Sequence, residues 1–527
     1  MGKNRFAGRS LAVVSDFTLE ERLYLFRKTR ELKEHLKSNR KEELEAFRIN
    51  NSDFGVYEVF LESSTRTKES FKNAAGFHRV KLSNLDVSSS SINKKESYGD
   101  TFNTLTGYDN SVFIVRSSLE GVCRWLEING RAYAGRNGMD VPPSFINAGD
   151  GKHEHPTQEL LDEFTFLEKM NWDRSSIHIA LIGDLYHGRT VHSKVNGLEV
   201  FSRVEVDLVA PPQLALPENY IREMESKGYI VRVFGSIGEY LEQEKTARIW
   251  YFTRPQLERM GDDILKIADS LRHRITFKQE FMPFIPEGTV FYHPLPRHKE
   301  HPVIPPFLDP TPLNGWEEQS VNGKLIRIVL LALVAGKIGD DFKEGPAIRE
   351  EAEDNHIMEV PAETAGPEKQ YSEGVNPIKN GIVIDHICRG SDKREIREHI
   401  SRIINVMELF GRGGEWISTS KKTPGVVKGI IFRPGEKPFD RSQIEKLSAI
   451  APGSTLNIIK EGRVVRKLRL SLPPRLHNLG SMSCKNPDCI SHPSHGENIP
   501  AEFTRISSGT LKCIYCEKVH SYREVWN

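Results

Sequence analysis

Ser64-Thr65-Arg66-Thr67 puts three hydroxyls and a guanidinium into four consecutive residues, directly after a largely apolar run, Val56 to Leu61, and before a helix-compatible segment. That order builds an oxyanion site. A buried strand would deliver the chain to a helix start, where backbone N–H groups and the helix dipole favour negative charge and a forked cation suits phosphate. The same residues also read as an ordinary N-cap beside a solvated arginine, so the rest of the chain decides.

Further segments pair a strand end with groups able to hold an anion or a carbonyl. Val115-Arg116 supplies a second guanidinium, and Ser88 to Lys95 is a polar loop containing Ser91 and Lys95. His155-Pro156-Thr157-Gln158 offers an imidazole and an amide. Asp184-Leu185-Tyr186-His187-Gly188-Arg189-Thr190 and Thr253-Arg254-Pro255-Gln256 each follow a strand, and His293-Pro294-Leu295-Pro296-Arg297 ends another in a rigid proline turn. Singly, each has a plain structural alternative, since an arginine at a strand end commonly forms a surface ion pair of little energetic worth.

The elements that must position these residues read as parallel α/β units. Strands are expected at Ile177 to Ile182, Val204 to Ala210, Ile249 to Thr253 and Thr289 to Tyr292, each running into a polar, proline or glycine turn, where open α/β sheets collect ligands. Thr18-Leu19-Glu20-Glu21 has capping-box spacing, and the run Gly323 to Ala335 reads as a buried final helix. A chain of 527 residues exceeds one core. With 38% hydrophobic and 28% charged residues, a mean hydropathy of −0.46, no bilayer-length apolar run and no apolar signal region after Met1, a cytoplasmic location is expected.

Charge divides the second half. Gly339 to Val375 carries eleven acidic against three basic residues among scattered Gly and Pro, and reads as a linker. Asn376 to Leu476 carries twenty basic against ten acidic residues, a composition open to a solvated surface, an anionic small ligand or nucleic acid. In it Val426 to Phe432 and Leu456 to Ile459 read as strands and Arg394 to Phe410 as a helix. Cys484 and Cys489, with four residues between them, and Cys513 and Cys516, with two between them, form two close pairs separated by twenty-three residues. That is the pattern of a structural four-cysteine Zn²⁺ site, with His492, His495 and His520 as alternative ligands. Cys123 and Cys388 read as core residues.

Ser64-Thr65-Arg66-Thr67, His155-Pro156-Thr157-Gln158 and His293-Pro294-Leu295-Pro296-Arg297, in this order and at these distances, resemble the aspartate carbamoyltransferase catalytic chain over roughly residues 5 to 338. Ornithine carbamoyltransferases share the first motif but usually carry cysteine where His293 to Pro296 stand. The resemblance implies transfer of the carbamoyl group of carbamoyl phosphate to L-aspartate in pyrimidine biosynthesis, without a catalytic cofactor. It implies that Ser64, Thr65, Arg66, Thr67 and Arg116 hold phosphate and that Thr67, Arg116 and His155 polarise the carbonyl. Gln158 and the carbonyls of Pro294 and Leu295 would accept from the carbamoyl amide, and Arg189, Arg254 and Gln256 would clamp aspartate. Ser91 and Lys95 match residues that enter a neighbouring subunit's site, and Glu62 matches a carboxylate that pairs across the cleft with the counterparts of Arg189 and Arg259. Tyr186-His187 and the loop Met260 to Phe281 depart from the family pattern.

Gly381-Ile382-Val383-Ile384-Asp385-His386-Ile387 and Cys484 to His492 resemble the regulatory chain of the same enzyme, over roughly residues 376 to 527. By that match Asp385, His386, Lys428 and Lys467, with Asn457 as a further candidate, hold a nucleotide effector such as CTP or ATP. The expected architecture is a two-domain parallel-sheet carbamoyltransferase fold, an α+β effector domain and a zinc-binding β domain. Its boundaries are 1–150 for the carbamoyl phosphate-binding domain, 151–338 for the aspartate-binding domain (the last helix, about 320–338, returning to the first), 339–375 for a linker, 376–476 and 477–527. Expected partners are the two substrates, the nucleotide and further copies of the chain, as catalytic trimers that build a hexamer, with neither nucleic acid nor membrane.

Overall fold

The computed structural model describes residues 4–85, 96–256, 267–343, 355–361, 378–390, 392–419, 425–477 and 479–527. The chain divides into two compact units, residues 1–345 and 346–527.

In the first unit, β1 (Gly55–Phe60), β2 (Lys81–Asn84), β3 (Asn110–Ser117) and β4 (Ser144–Asp150) form a parallel sheet in the order β2-β1-β3-β4. A second parallel sheet, in the order β7-β6-β5-β8-β9, comprises β5 (Ile177–Ile182), β6 (Val204–Val209), β7 (Ile230–Phe234), β8 (Ile249–Phe252) and β9 (Val290–Tyr292). Strands covered on both faces must be apolar along their whole length, and β4 and β8 are buried at every residue. In this unit the strand ends read from sequence therefore lie within one residue of those observed, while in the second unit the strand expected to end at Phe432 runs to Pro434.

Helices cover the sheets. Thr18 closes the expected capping box on Leu19–Lys37, its hydroxyl accepting from Glu21 N and Glu21 accepting from Thr18 N. The final helix spans Trp316–Val334, starting seven residues before the expected Gly323. Its first turns carry Gln319 and Asn322, polar residues that break the apolar pattern yet lie buried and hydrogen-bonded to Asp162, Thr165 and Glu168. This helix returns to the first sheet's layer, where Ile328 O faces His78 Nε2 at 2.8 Å and Arg327 Nη1 donates to Ser70 Oγ at 2.9 Å.

In the second unit, six antiparallel strands run in the order β10-β15-β14-β11-β13-β12: β10 (Ile357–Val360), β11 (Gly381–Gly390), β12 (Gly414–Thr419), β13 (Val427–Pro434), β14 (Thr455–Lys460) and β15 (Arg463–Leu470). The helix Lys393–Val406 lays Ile396 and Ile400 against Gly429, where a Cβ would meet Ile400 Cδ1 at 2.7 Å. It stops four residues before the expected Phe410, with Glu408 in left-handed backbone (φ 55). Strand β10 lies inside the segment expected to be linker, with Glu359 paired to Arg466 at 3.1 Å. A separate antiparallel sheet, β16 (Arg475–His477), β17 (Glu502–Arg505), β18 (Thr510–Cys513) and β19 (Val519–Ser521), ends the chain. Among the described residues no helix is long and apolar enough to cross a membrane.

One backbone contact links the second parallel sheet directly to the cleft. Gly183 leaves β5 at φ +120°, and a Cβ there would lie 2.3 Å from Thr253 O, at the turn that carries Arg254. We predict that Gly183→Ala costs about 2–4 kcal/mol of stability and, by shifting the Arg254 turn, lowers turnover in the protein that still folds. Thermal unfolding and initial rates check this, and unchanged values in both would refute it.

Candidate functional site

β1 ends at Phe60, and the chain turns into the helix Thr65–His78 with Ser64 as its N-cap. Ser64 has extended backbone (φ −157) and its hydroxyl makes no capping bond. No acidic side chain stands in the first turn, so the positive helix end is not neutralised locally. Thr67 is buried within that turn.

Arg116, buried at the end of β3, donates from Nη1 to Ala148 O at 2.9 Å and places Nη2 3.3 Å from Glu62 Oε2. The same Glu62 oxygen lies 3.3 Å from Arg189 Nη1 and 3.4 Å from its Nη2, and Arg189 also donates to Gly151 O at 3.0 Å. Gly149 makes room for this assembly: at φ +112°, a Cβ would lie 2.8 Å from Arg116 Nη1 and 3.2 Å from Arg189 Cζ. Arg259, the other partner expected for Glu62, lies outside the described residues.

His155 caps the helix Pro156–Lys169 and is buried. Burial, reinforced by the charges of Arg116, Arg189 and Arg327, holds its pKa well below that of an ordinary histidine, so the ring is neutral. The Thr157 hydroxyl accepts from Arg327 Nη2 at 3.3 Å and faces His155 Nδ1 at 3.5 Å, which favours the ring proton on Nε2. Gln158 donates to Asp162 Oδ1 at 2.9 Å.

The remaining wall comes from two turns. Gln256 donates from N to Asp184 Oδ2 at 2.8 Å and from Nε2 to His187 O at 3.3 Å, which ties the Arg254 turn to the one after β5. His187, a departure from the family pattern, is buried against Asp184 and lines the cleft, while Tyr186 is exposed. In the proline turn, Leu295 N donates to His293 Nδ1 at 2.7 Å, and burial pushes the His293 pKa down to about 3, so its ring accepts as a neutral group. Arg297 anchors the turn on Asp309 at 2.6 and 3.1 Å.

These parts enclose a cleft of about 470 Å³. It brings together Ser64, Thr65, Arg66, Thr67, Arg116, His155, Gln158, Arg189, Arg254, Gln256, Pro294 and Leu295. Ser91 and Lys95 lie outside the described residues. Sequence reasoning missed Arg327, a buried cleft residue whose pKa is lowered to about 10 by burial. Its signal was a lone arginine inside the apolar run Leu325 to Val334.

In the second unit, Lys428 Nζ lies 2.9 Å from Asp385 Oδ1 and 3.4 Å from His386 Nε2. His386 takes left-handed backbone (φ 65) where the pairing of β11 with β13 is irregular. Val383, Asn457 and Lys467 lie side by side across β11, β14 and β15, which puts Lys467 two strands, about 10 Å, from β11. Val360 of β10 pairs beside Lys467.

The sulfurs of Cys484, Cys489, Cys513 and Cys516 are buried within 4.8 Å of one another. Cys484 and Cys516 are 3.7 Å apart and Cys489 and Cys513 3.9 Å, against an edge of about 3.8 Å for a tetrahedron of sulfurs around zinc. The residues fit a structural Zn²⁺. His520 Nε2 and Ser491 Oγ each lie 3.3 Å from a ligand sulfur, as supporting partners, and His492 and His495 bond to Ser494 and Pro487 instead.

Comparison with known proteins places both units. Residues 9–168 match the aspartate/ornithine carbamoyltransferase carbamoyl-P binding domain, 373–471 the allosteric domain of the aspartate carbamoyltransferase regulatory chain, and 475–526 that chain's metal binding domain. An aspartate transcarbamoylase from Trypanosoma cruzi, solved in complex with N-(phosphonacetyl)-L-aspartic acid, is 28% identical with a TM-score of 0.53, over 63% of this chain and 97% of that one. Fold and site thus define a carbamoyltransferase joined to a regulatory chain. Protein PyrBI of Treponema denticola is 58% identical over 99% of both chains, and Protein PyrBI of Thermotoga maritima 50% over the full length of both. The chain belongs to the PyrBI family, an aspartate carbamoyltransferase catalytic chain continued by its regulatory chain.

Removal of zinc by a chelator is expected to loosen residues 475–527 before it changes the catalytic rate. Hydrogen exchange alongside activity tests this order, and metal analysis that finds no bound zinc would refute the site.

Proposed function

We propose that the cleft binds carbamoyl phosphate and L-aspartate and that the residues converging on it divide the work of forming N-carbamoyl-L-aspartate. Ser64, Thr65, Arg66, Thr67 and Arg116 hold the phosphate at the helix start. The Nε2–H of neutral His155, with Thr67 and Arg116, donates to the carbonyl oxygen, where negative charge grows as the amine attacks. Gln158 and the carbonyls of Pro294 and Leu295 accept from the carbamoyl NH2, while Arg189, Arg254 and Gln256 take the aspartate carboxylates. The aspartate nitrogen bonds to the carbamoyl carbon, the bond from that carbon to the phosphate oxygen breaks, and a proton from nitrogen passes to the leaving phosphate. Carbamoyl phosphate is already activated, so orientation and fixed charge carry the catalysis. The observation that supports this most is the meeting of the Thr65 helix start, the His155 helix start and the proline turn on one cleft.

The same reading assigns residues 1–150 to carbamoyl phosphate binding, 151–338 to aspartate binding, 376–476 to a nucleotide effector and 477–527 to zinc. Asp385, His386, Lys428 and Lys467 hold the effector, and the acidic segment tethers the two halves in a cytoplasmic enzyme. Ser91 and Lys95 complete a neighbouring subunit's site in a catalytic trimer, and two trimers joined through the regulatory halves make a hexamer.

Arg66→Ala is expected to abolish most turnover in a folded protein. Hybrids of inactive Arg66→Ala and inactive Lys95→Ala subunits should regain some activity, because one site in such a trimer can draw both intact residues. Normal turnover in Arg66→Ala would sink the phosphate assignment, and no recovery after verified mixing would sink the shared site. Initial rates against aspartate at saturating carbamoyl phosphate test the regulatory half. Sigmoidal curves displaced by CTP are expected, and a hyperbolic curve indifferent to nucleotides would remove the effector assignment.

A further inference from the structure

Asp162 is a fully buried carboxylate of the Pro156–Lys169 helix, one turn after Gln158, and the roles above leave it unassigned. Its Oδ2 pairs with Lys194 Nζ at 2.8 Å. Its Oδ1 contacts two side-chain amides, Gln158 Nε2 at 2.9 Å and Gln319 Nε2 at 2.7 Å.

A backbone donor decides which way both amides face. The His293 N–H can only donate, and it donates to Gln319 Oε1 at 2.9 Å. The atom that Gln319 turns to Asp162 is therefore its NH2, and Asp162 Oδ1 is the acceptor. Gln158 meets that same oxygen with its own NH2. This leaves Oε1 as the atom of the Gln158 amide able to accept from a ligand in the cleft that Gln158 lines. Gln319 also grips the first residue of the proline turn, in which Leu295 N is tied back to His293 Nδ1 at 2.7 Å.

We propose that Asp162 is the positioning residue that gives the carbamoyl pocket its acceptor character. One carboxylate oxygen holds the Gln158 amide directly and, through Gln319, the carbonyls of Pro294 and Leu295, so the pocket selects a substrate NH2 over a group of the same shape with no N–H. This rests on the reading that carbamoyl phosphate binds in the cleft. A methyl in place of the NH2 leaves buried acceptors unpaired, which is the strong form of discrimination available to a protein site. A Gln158 amide turned the other way would set NH2 against NH2.

The test uses the full-length protein and a matched pair of stable ligands, phosphonoacetamide and its methyl ketone analogue acetonylphosphonate, with inorganic phosphate as control, measured by titration calorimetry. The unaltered protein is expected to prefer the amide by about tenfold or more. Asp162→Leu and Gln319→Met should bring that preference towards parity while phosphate affinity changes by no more than about twofold, because the phosphate site stands on another helix. Should Asp162→Leu fail to fold, Gln319→Met decides. A preference retained in a folded variant, or phosphate binding lost in parallel with it, would overturn the proposal. Unaltered protein that binds neither phosphonate and forms no carbamoyl aspartate would overturn the functional reading, and this proposal with it.

Discussion

The cleft depends on keeping several guanidinium groups close together in a partly dry space. Arg116 comes from β3 of the first sheet and Arg189 from the short helix that follows β5 of the second, and like charges at that separation repel strongly where water is scarce. A single oxygen of Glu62 lies 3.3 Å from each of them. That carboxylate is about a quarter exposed and both arginines less, so screening is incomplete and removing it would deprive two largely buried charges of this counter-ion. The two β/α layers are thus held across the site by the same charges that an anionic substrate would meet. An incoming phosphate or carboxylate can take over what Glu62 supplies without leaving a guanidinium unpaired.

Backbone geometry lets those charges approach. Gly149 and Gly183 both stand at positive φ at the carboxyl ends of parallel strands, the first beside two guanidinium groups and the second against Thr253 O. A side chain at Gly149 would displace the two guanidinium groups, and one at Gly183 would push away the turn bearing Arg254. In the second unit the corresponding constraint is an edge. Strand β15 carries Lys467 and Arg469 at the side of a sheet, and residues 357–360 of the connecting segment pair along it. Part of the acidic segment is therefore a strand, which protects an otherwise open sheet edge.

How much of this was legible follows from the range of each interaction. Parallel strands buried on both faces must be continuous apolar runs, so β1, β5, β6, β8 and β9 could be read almost to the residue. The residues that line the cleft sit in short motifs with local chemistry, and the cysteine pairs carry their own spacing. Arg327, Asp162 and Gln319 escaped because their meaning lies in partners far along the chain: Gln319 bonds Asp162 across a separation of 157 residues, and Arg327 bonds Ser70 across 257. The start of the last helix escaped for the same reason, since its buried polar residues look solvent-facing until their acceptors are known. β10 was hidden by its setting, four residues with one charge inside an acidic stretch, stabilised by pairing with β15 far along the chain.

The neutrality of His155 joins these threads. A protonated imidazole would be a stronger donor to a developing oxyanion, yet it would have to be charged in a dry site beside three cations. Burial and the fields of Arg116, Arg189 and Arg327 oppose that, in that order of weight, and hold the ring neutral. A neutral donor has a compensating advantage. It adds a directed N–H without adding to the repulsion that Glu62 already has to balance, and it needs no proton uptake as substrate arrives. On the proposed reading the arginines supply the net charge and the histidine supplies direction. On that reading the two tasks fall on different groups, and Arg327 bears on both, depressing the ring's basicity and, through Thr157, favouring its proton on Nε2.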